Sequence, residues 1–315
     1  MNLETKIQYK YILKLSSAAG KTGEMIMQNV FNSGFIIEKD RVEGSILFYG
    51  YEQETGVDKP LYWEKLLDQL QKNKKIILDR GGYVLKRKRA GSVDWVEKWK
   101  ENFQEIKVGS DWIIIPSWQA EKQDLTVKEK NKLNTARIPL IVKPGVAFGS
   151  GNHPSTQLVL HDISEIKSNF PELASFLDVG CGTGILSLAA GKIDFKHITA
   201  IDIDELSVKN TRDNLELNGL ADKVEVINGD IKEISLPKYD LVVVNCLPKI
   251  IKDILPGLLP CLEKNSFLIL SGFMKQHKSE IKHELNSWGR KLKFHKIDSL
   301  DNWLSFIVQR KAGDK

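Results

Sequence analysis

Residues 177–184 read LDVGCGTG. The run begins as an apolar strand and ends in three alternate glycines, Gly180, Gly182 and Gly184, where a strand would hand over to a helix. Glycines there let the backbone turn sharply and let a ligand lie against it. A dinucleotide site wants GxGxxG and seats a pyrophosphate on the helix N-terminus. Here the spacing is GxGxG, and Asp178 stands just before it. A carboxylate at that point repels a pyrophosphate but accepts hydrogen bonds from an amino group. The run points to a cationic, phosphate-free nucleoside.

Outward from this run the pattern is strand–helix alternation. SFLDVG (175–180), HITAID (197–202), KVEVIN (223–228), YDLVVVN (239–245) and SFLILSG (266–272) read as strands. The helical piece from Asp204 to Asn218-Gly219 has an acidic cap and a left-handed stop. Repeated βα units predict a parallel, doubly wound sheet. KFHKID and SFIVQR, joined near Ser299 and Asp301, add an antiparallel edge hairpin and make seven strands. The strand ends carry polar groups on the edge where open α/β sheets bind ligands. Asp202, 18 residues past Gly184, is placed to accept from both ribose hydroxyls. Asp230 is placed to receive an adenine amino group, and Asn245 ends a central strand. S-Adenosylmethionine is the cofactor that fits this set.

AFGSGNHPST (147–156) precedes the glycine run. Pro154 suits the first turn of a helix, and Ser155, Thr156 and the amides there suit a carboxylate. His153 reads as a helix cap or a general base, the cap being preferred. Together these residues resemble the class I S-adenosylmethionine-dependent methyltransferases over roughly residues 145–311. AFGSGNHPST is similar to the AFGTGTHPTT signature of the PrmA family, the methyltransferases of large-subunit ribosomal protein eleven. The resemblance implies a Rossmann-like α/β fold and cofactor contacts at Thr156, Gly180, Asp202 and Asn245, to which the glycine run and the third strand end add Gly182 and Asp230. It also implies methyl transfer to lysine or N-terminal amines of a ribosomal protein, with Asn245 as the catalytic residue. The chain departs from the family pattern at Lys143, Asn152, Ser155 and Cys246-Leu247-Pro248. The last of these lies beside the expected transfer site and bears on the substrate. The alternative is a methyltransferase of another protein or of a nucleic-acid amino group. The latter class wants Asn-Pro-Pro-aromatic, and Asn245-Cys246-Leu247-Pro248 offers no stacking face for a flipped base. A cofactor-binding module without catalysis is the third reading.

The first ninety residues read as a small α+β domain in β-α-β-β-α-β order, a ferredoxin-like arrangement. YILKLSS, FIIEKD, SILFYGYE, KKIILD and GYVLKRK read as strands, and 20–34 and 60–73 as helices. The resemblance makes 1–90 the substrate-recognition domain, 91–140 a linker helix with a connecting strand and loop, and 141–315 the methyltransferase domain. DWVEKWKENFQEIKV (94–108) sets Trp95, Trp99 and Phe103 on one helical face. WIIIPSW (112–118) reads as a buried strand, and 119–137 as an exposed loop.

The 315 residues, 42% hydrophobic and 28% charged, have the balance of a folded, two-domain protein. No apolar run approaches the roughly 18 residues of a membrane span, and no secretory signal is read. Cys181, Cys246 and Cys261 form no pair, and the histidines show no metal-ligand spacing. A cytoplasmic monomer without a metal is expected. Residues 71–108 hold eleven Lys or Arg against five Asp or Glu. That surplus reads as the guarded edge of an exposed strand or as a surface for ribosomal RNA.

Overall fold

The computed structural model describes residues 8–30, 36–40, 45–53, 61–78, 82–90, 105–122, 137–143, 151–288 and 291–311. The chain forms two compact units, Met1–Gln104 and Glu105–Lys315.

In the first unit, strands β1 (Gln8–Ser16), β2 (Ile36–Asp40), β3 (Ser45–Gln53) and β4 (Tyr83–Ala90) form an antiparallel sheet in the order β2-β3-β1-β4. Helix α1 (Gly20–Val30) follows β1, and α2 (Leu61–Lys72) and α3 (Lys74–Leu78) precede β4. Alternate residues Tyr11, Leu13 and Leu15 of β1 bury one face against Ile26, Met27 and Val30 of α1 and Leu66 and Leu70 of α2. This period of two is what a half-buried strand requires. One element differs from the expectation. KKIILD is not a strand; Lys74–Leu78 is a short helix. A brief apolar run has no period of its own, and here Ile77 joins the buried cluster formed by α1 and α2.

The second unit opens with a three-stranded sheet, β5 (Ile106–Val108), β6 (Trp112–Pro116) and β7 (Ile138–Val142). Strand β6 pairs antiparallel with β5 and parallel with β7. The expected helix over 94–108 therefore ends as a strand, while Trp95, Trp99 and Phe103 lie outside the described residues. WIIIP is buried throughout because both its faces are covered. Trp112 and Ile114 enter the main core, and Ile113 and Ile115 a smaller cluster with Ala120 and Ile141. The expected loop over 119–137 begins instead inside a helix, α4 (Ser117–Lys122), which puts Ala120 in that cluster. Residues 123–136 lie outside the described residues.

Then come α5 (Pro154–Asn169), β8 (Ser175–Val179), α6 (Ile185–Lys192), β9 (His197–Asp202), α7 (Glu205–Leu217), β10 (Val224–Asn228), β11 (Tyr239–Asn245), α8 (Pro248–Leu258), β12 (Leu262–Met274), α9 (Lys278–Ser287), β13 (Leu292–Leu300) and β14 (Trp303–Arg310). The seven strands are ordered β10-β9-β8-β11-β12-β14-β13. Those from β10 to β12 run parallel, and β14 and β13 close the edge as an antiparallel hairpin. This is the doubly wound sheet and hairpin that the sequence predicts. Neighbouring residues feed opposite faces: Phe176 packs with Val159, Leu188 and Phe267, and Leu177 with Val242, Ile251 and Leu268. Parallel strands covered on both faces read as continuous apolar runs for this reason. The order reverses between β8 and β11, and ligands of such sheets bind at the carboxyl ends of the strands flanking that point. No helix among the described residues is long and apolar enough to cross a membrane.

Candidate active site

The three glycines lie where the expectation puts them, between β8 and α6. All have positive φ, +75° at Gly180, +57° at Gly182 and +76° at Gly184. A side chain at Gly184 would also meet Thr211 of α7, its Cβ only 2.8 Å from the threonine methyl. The loop is held from outside by Thr211, whose hydroxyl donates to the Gly182 carbonyl at 3.0 Å, and by Asn214, whose amide donates to the Thr183 carbonyl at 2.8 Å. Asn214 and Asn218 also take hydrogen bonds from the backbone of Lys143 and Ile141, tying β7 to the same helix.

Asp178 does not offer its whole carboxylate to a ligand. Its Oδ2 accepts from the Ser187 amide at 3.2 Å and from the Ser187 hydroxyl at 2.7 Å, which locks the first turn of α6 onto β8. Its Oδ1 is buried without a partner. Burial pushes this carboxyl up to about 7. An aspartate in the unfolded chain ionises near about 3.9. Between those values the unfolded chain gives up a proton that the folded protein keeps. The contribution of Asp178 to stability therefore falls as pH rises from about 4 to about 7 and is level above that. Asp178→Asn is expected to flatten this slope in urea unfolding measured across the same pH range. An unchanged slope would show that another group sets it.

Asp202 sits at the end of β9. Its Oδ2 accepts from the Gly182 amide and its Oδ1 from the Asp204 amide, each at 3.0 Å. Each carboxylate oxygen has a second lone pair, so both can still accept from a pair of hydroxyls. Burial raises the Asp202 carboxyl, against the backbone amides of Asp204, Gly182 and Ile203, which stabilise its charge. The Asp202 carbonyl in turn accepts from the Gly229 amide at 2.9 Å and the Asn228 side chain at 3.0 Å, which joins the ends of β9 and β10. Asp230 follows there. Its Oδ1 accepts from the Lys232 amide at 2.9 Å and its Oδ2 lies 3.4 Å from the Lys232 ammonium, which leaves lone pairs on the part-exposed carboxylate.

Asn245, at the end of β11, is 9% exposed. Its Nδ2 donates to the hydroxyl of Thr156 at 3.3 Å, joining two residues 89 apart that the sequence had placed at one site. Its Oδ1 is buried with no hydrogen-bond partner. Pro144–Ser150, and with them AFGS of the AFGSGNHPST run, lie outside the described residues. From Gly151 on, the stretch is the start of α5. His153 is its N-cap: Nδ1 accepts from the Ser155 amide at 3.3 Å and lies 2.7 Å from the Ser155 hydroxyl. These partners place the ring proton on Nε2. Burial lowers His153 to about 4, so the ring is neutral at neutral pH. The cap, of the two readings of His153, is what the geometry supports.

The geometry adds two partners: Trp303, which had no signal in the local sequence, and Cys246, which the sequence marks only as a departure from the family pattern. Trp303, the first residue of β14, packs its ring edge-on against His153 with centroids 4.3 Å apart. It reaches this edge because β14 runs antiparallel to β12 and starts where the parallel strands end. Cys246 lies between two glycines: a Cβ at Gly180 would fall 2.7 Å from its sulfur, and one at Gly272 would land on its backbone. The Cys246 amide donates to the Ser271 carbonyl at 3.1 Å. Burial pushes the Cys246 thiol up to about 12, so it is no nucleophile.

The chain matches the family described as "Ribosomal protein L11 methyltransferase (PrmA)" over residues 13–311. It is 32% identical to a ribosomal protein L11 methyltransferase of Caldanaerobacter subterraneus subsp. tengcongensis over 221 residues, 70% of this chain and 65% of that protein. Its identity with the protein of that name from Prochlorococcus marinus is 31% over 264 residues, 79% of this chain and 82% of that one. A crystal structure titled ribosomal protein L11 methylase, from Lactobacillus delbrueckii subsp. bulgaricus, superposes with a TM-score of 0.57 at 26% identity and covers 66% of this chain and all of that one. With the glycine loop, the strand order and the Thr156–Asn245 pair in place, this chain belongs to the ribosomal protein L11 methyltransferase (PrmA) family.

Proposed function

We propose that this protein transfers methyl groups from S-adenosylmethionine to lysine side-chain or N-terminal amines of ribosomal protein L11. The buried, unpartnered Oδ1 of Asn245 carries the reading. It is an acceptor fixed at the switch point of the sheet, and an amine N–H satisfies it. The residues around it fit the cofactor: three positive-φ glycines open the backbone to it, and Asp202 keeps two lone pairs for its ribose. S-Adenosylmethionine supplies, when bound, a methyl group already activated on sulfur. The protein's part is alignment. A lysine amine, with a pKa of about 10.4 in water, must be neutral to attack. Burial and the neighbouring cationic sulfur favour the neutral form. Asn245 receives the N–H and turns the nitrogen lone pair toward the methyl carbon. With the cofactor bound, the amine held by Asn245 would take the methyl from sulfur and shed a proton to solvent.

In this reading the first unit recognises the ribosomal protein. Exposed Lys74, Lys75, Lys86 and Arg87 and the half-exposed Tyr83 are the groups of this unit suited to ribosomal RNA. The protein acts in this reading as a cytoplasmic monomer, which sedimentation of the purified chain tests. The deciding experiment incubates it with S-adenosylmethionine and purified ribosomal protein L11 or large-subunit particles, at two salt concentrations, and reads intact mass. Added methylene units on L11 are expected. A salt-sensitive preference for the particle would support the RNA contact, and its absence would remove it. No added mass on either substrate, with cofactor binding intact by calorimetry, would refute L11 as the substrate.

A further inference from the structure

A second polar cluster lies two helical turns along α5 from Thr156. His161, Asp162 and Glu165 come from α5, Asp298 from β13 and Ser305 from β14. One ligand atom from each of His161, Asp162, Glu165 and Asp298 lies within 4.8 Å of all the others. Donor atoms bound at about 2.0–2.2 Å to a single ion lie roughly 3–4 Å from one another, so the four side chains need draw in by at most about an ångström to close on an ion.

Asp162 is the anomaly in the cluster. It is 0% exposed, and neither of its carboxylate oxygens receives a hydrogen bond. The Ser305 hydroxyl beside it is equally buried and makes no formed hydrogen bond, though it and His161 stand close enough to lower the Asp162 carboxyl. A carboxylate buried without donors costs several kcal/mol unless a proton or a cation neutralises it. Burial raises the Asp162 carboxyl most, His161 and Ser305 lower it, and the nearby Asp298 adds to the rise. Lys296 does not supply the missing charge. Its ammonium bridges Glu165 at 2.5 Å and Asp298 at 2.7 Å, and leaves Asp162 aside. Two of the three carboxylates thus share the one lysine, and Asp162 has none. The His161 Nδ1 lies 3.8 Å from both Asp162 and Glu165. That is too long for a hydrogen bond, and it is a normal separation for two ligands of one ion.

We propose that His161, Asp162, Glu165 and Asp298 bind a divalent first-row cation, of the manganese-to-zinc range, that clasps the C-terminal hairpin to α5. One imidazole and three carboxylates suit such borderline cations better than magnesium or calcium, which prefer oxygen alone. Lys296 is the counter-charge the ion displaces. The ion stands apart from the methyl-transfer reading and takes no part in it.

The test uses the full chain, treated with chelator and titrated with MnCl2 and separately with ZnCl2, followed by calorimetry and thermal unfolding. One equivalent of cation is expected to bind and raise the melting temperature, with cofactor binding unchanged. Asp162→Asn and Asp298→Asn, checked for folding by circular dichroism, are each expected to weaken binding by about tenfold or more. Lys296→Met is expected to tighten it, because a competing positive charge is gone. No uptake by the wild-type chain would overturn the proposal, whatever Lys296→Met does. So would uptake that both aspartate variants leave intact.

Discussion

Replacing Asn245 by alanine is expected to lower the methyl-transfer rate by about a hundredfold or more, with cofactor affinity largely kept. An attacking group misplaced by about 1 Å can cost that much. The side chain has two ends with separate work. Nδ2 is spent on Thr156, and Oδ1 is buried and unspent. Two variants separate these duties. Asn245→Ala removes both. Thr156→Val removes only the partner of Nδ2 and leaves the acceptor in place. Single-turnover rates, with cofactor affinity measured in parallel by calorimetry, should show a much smaller loss for Thr156→Val. Equal losses would mean that Asn245 matters because it anchors α5, and the acceptor role would be wrong. A loss confined to cofactor binding would likewise move Asn245 from the amine to the cofactor.

The second large effect concerns stability and falls on Gly272. This residue has φ +92°, and a Cβ there would sit on the Cys246 carbonyl oxygen and within 2.7 Å of the Cys246 nitrogen and carbonyl carbon. Backbone atoms cannot swing aside. Gly272→Ala combines a strained dihedral with overpacking, and a loss of about 4 kcal/mol is expected in urea unfolding. Gly180→Ala makes the contrast. Its φ is +75°, and its one close obstacle is the Cys246 sulfur at 2.7 Å. In a Cys246→Ala background that obstacle is gone, so Gly180→Ala should recover part of its loss and Gly272→Ala should not. Equal rescue of both would mean that the backbone at 246 is free to move, and that the glycine sandwich does not fix Asn245.

That sandwich also bears on the departure at Cys246-Leu247-Pro248. The Cys246 sulfur packs inward against Gly180, while Leu247 is 50% exposed and Ile250 44% exposed at the start of α8. The departure thus divides into an inward residue that sets the strand end and an outward rim beside Asn245. The two are open to separate substitution.

Local rules made much of this protein legible from its sequence. Apolar runs covered on both faces announced the parallel strands, because burial on two sides removes the alternation. GxGxG after β8 announced a turn of positive φ, because other residues pay a steric cost there. Asn218-Gly219 announced the end of α7, and Gly219 takes φ +67°. Thr156 and Asn245 were both chosen from the sequence; that one donates to the other is a fact of the fold.

Only the tertiary structure decided the rest. Whether 74–78 is helix or strand depended on a cluster made by other helices, since a short apolar run has no period to read. The side chain of Asp178 turned to Ser187 because α6 packs down on β8, which residue spacing does not show. Trp303 met His153, and Asp298 met Asp162, across more than a hundred residues. Those meetings follow from sheet order and strand direction. The order in which strands pair is set by the free energy of the whole sheet, so no stretch of the chain carries it alone.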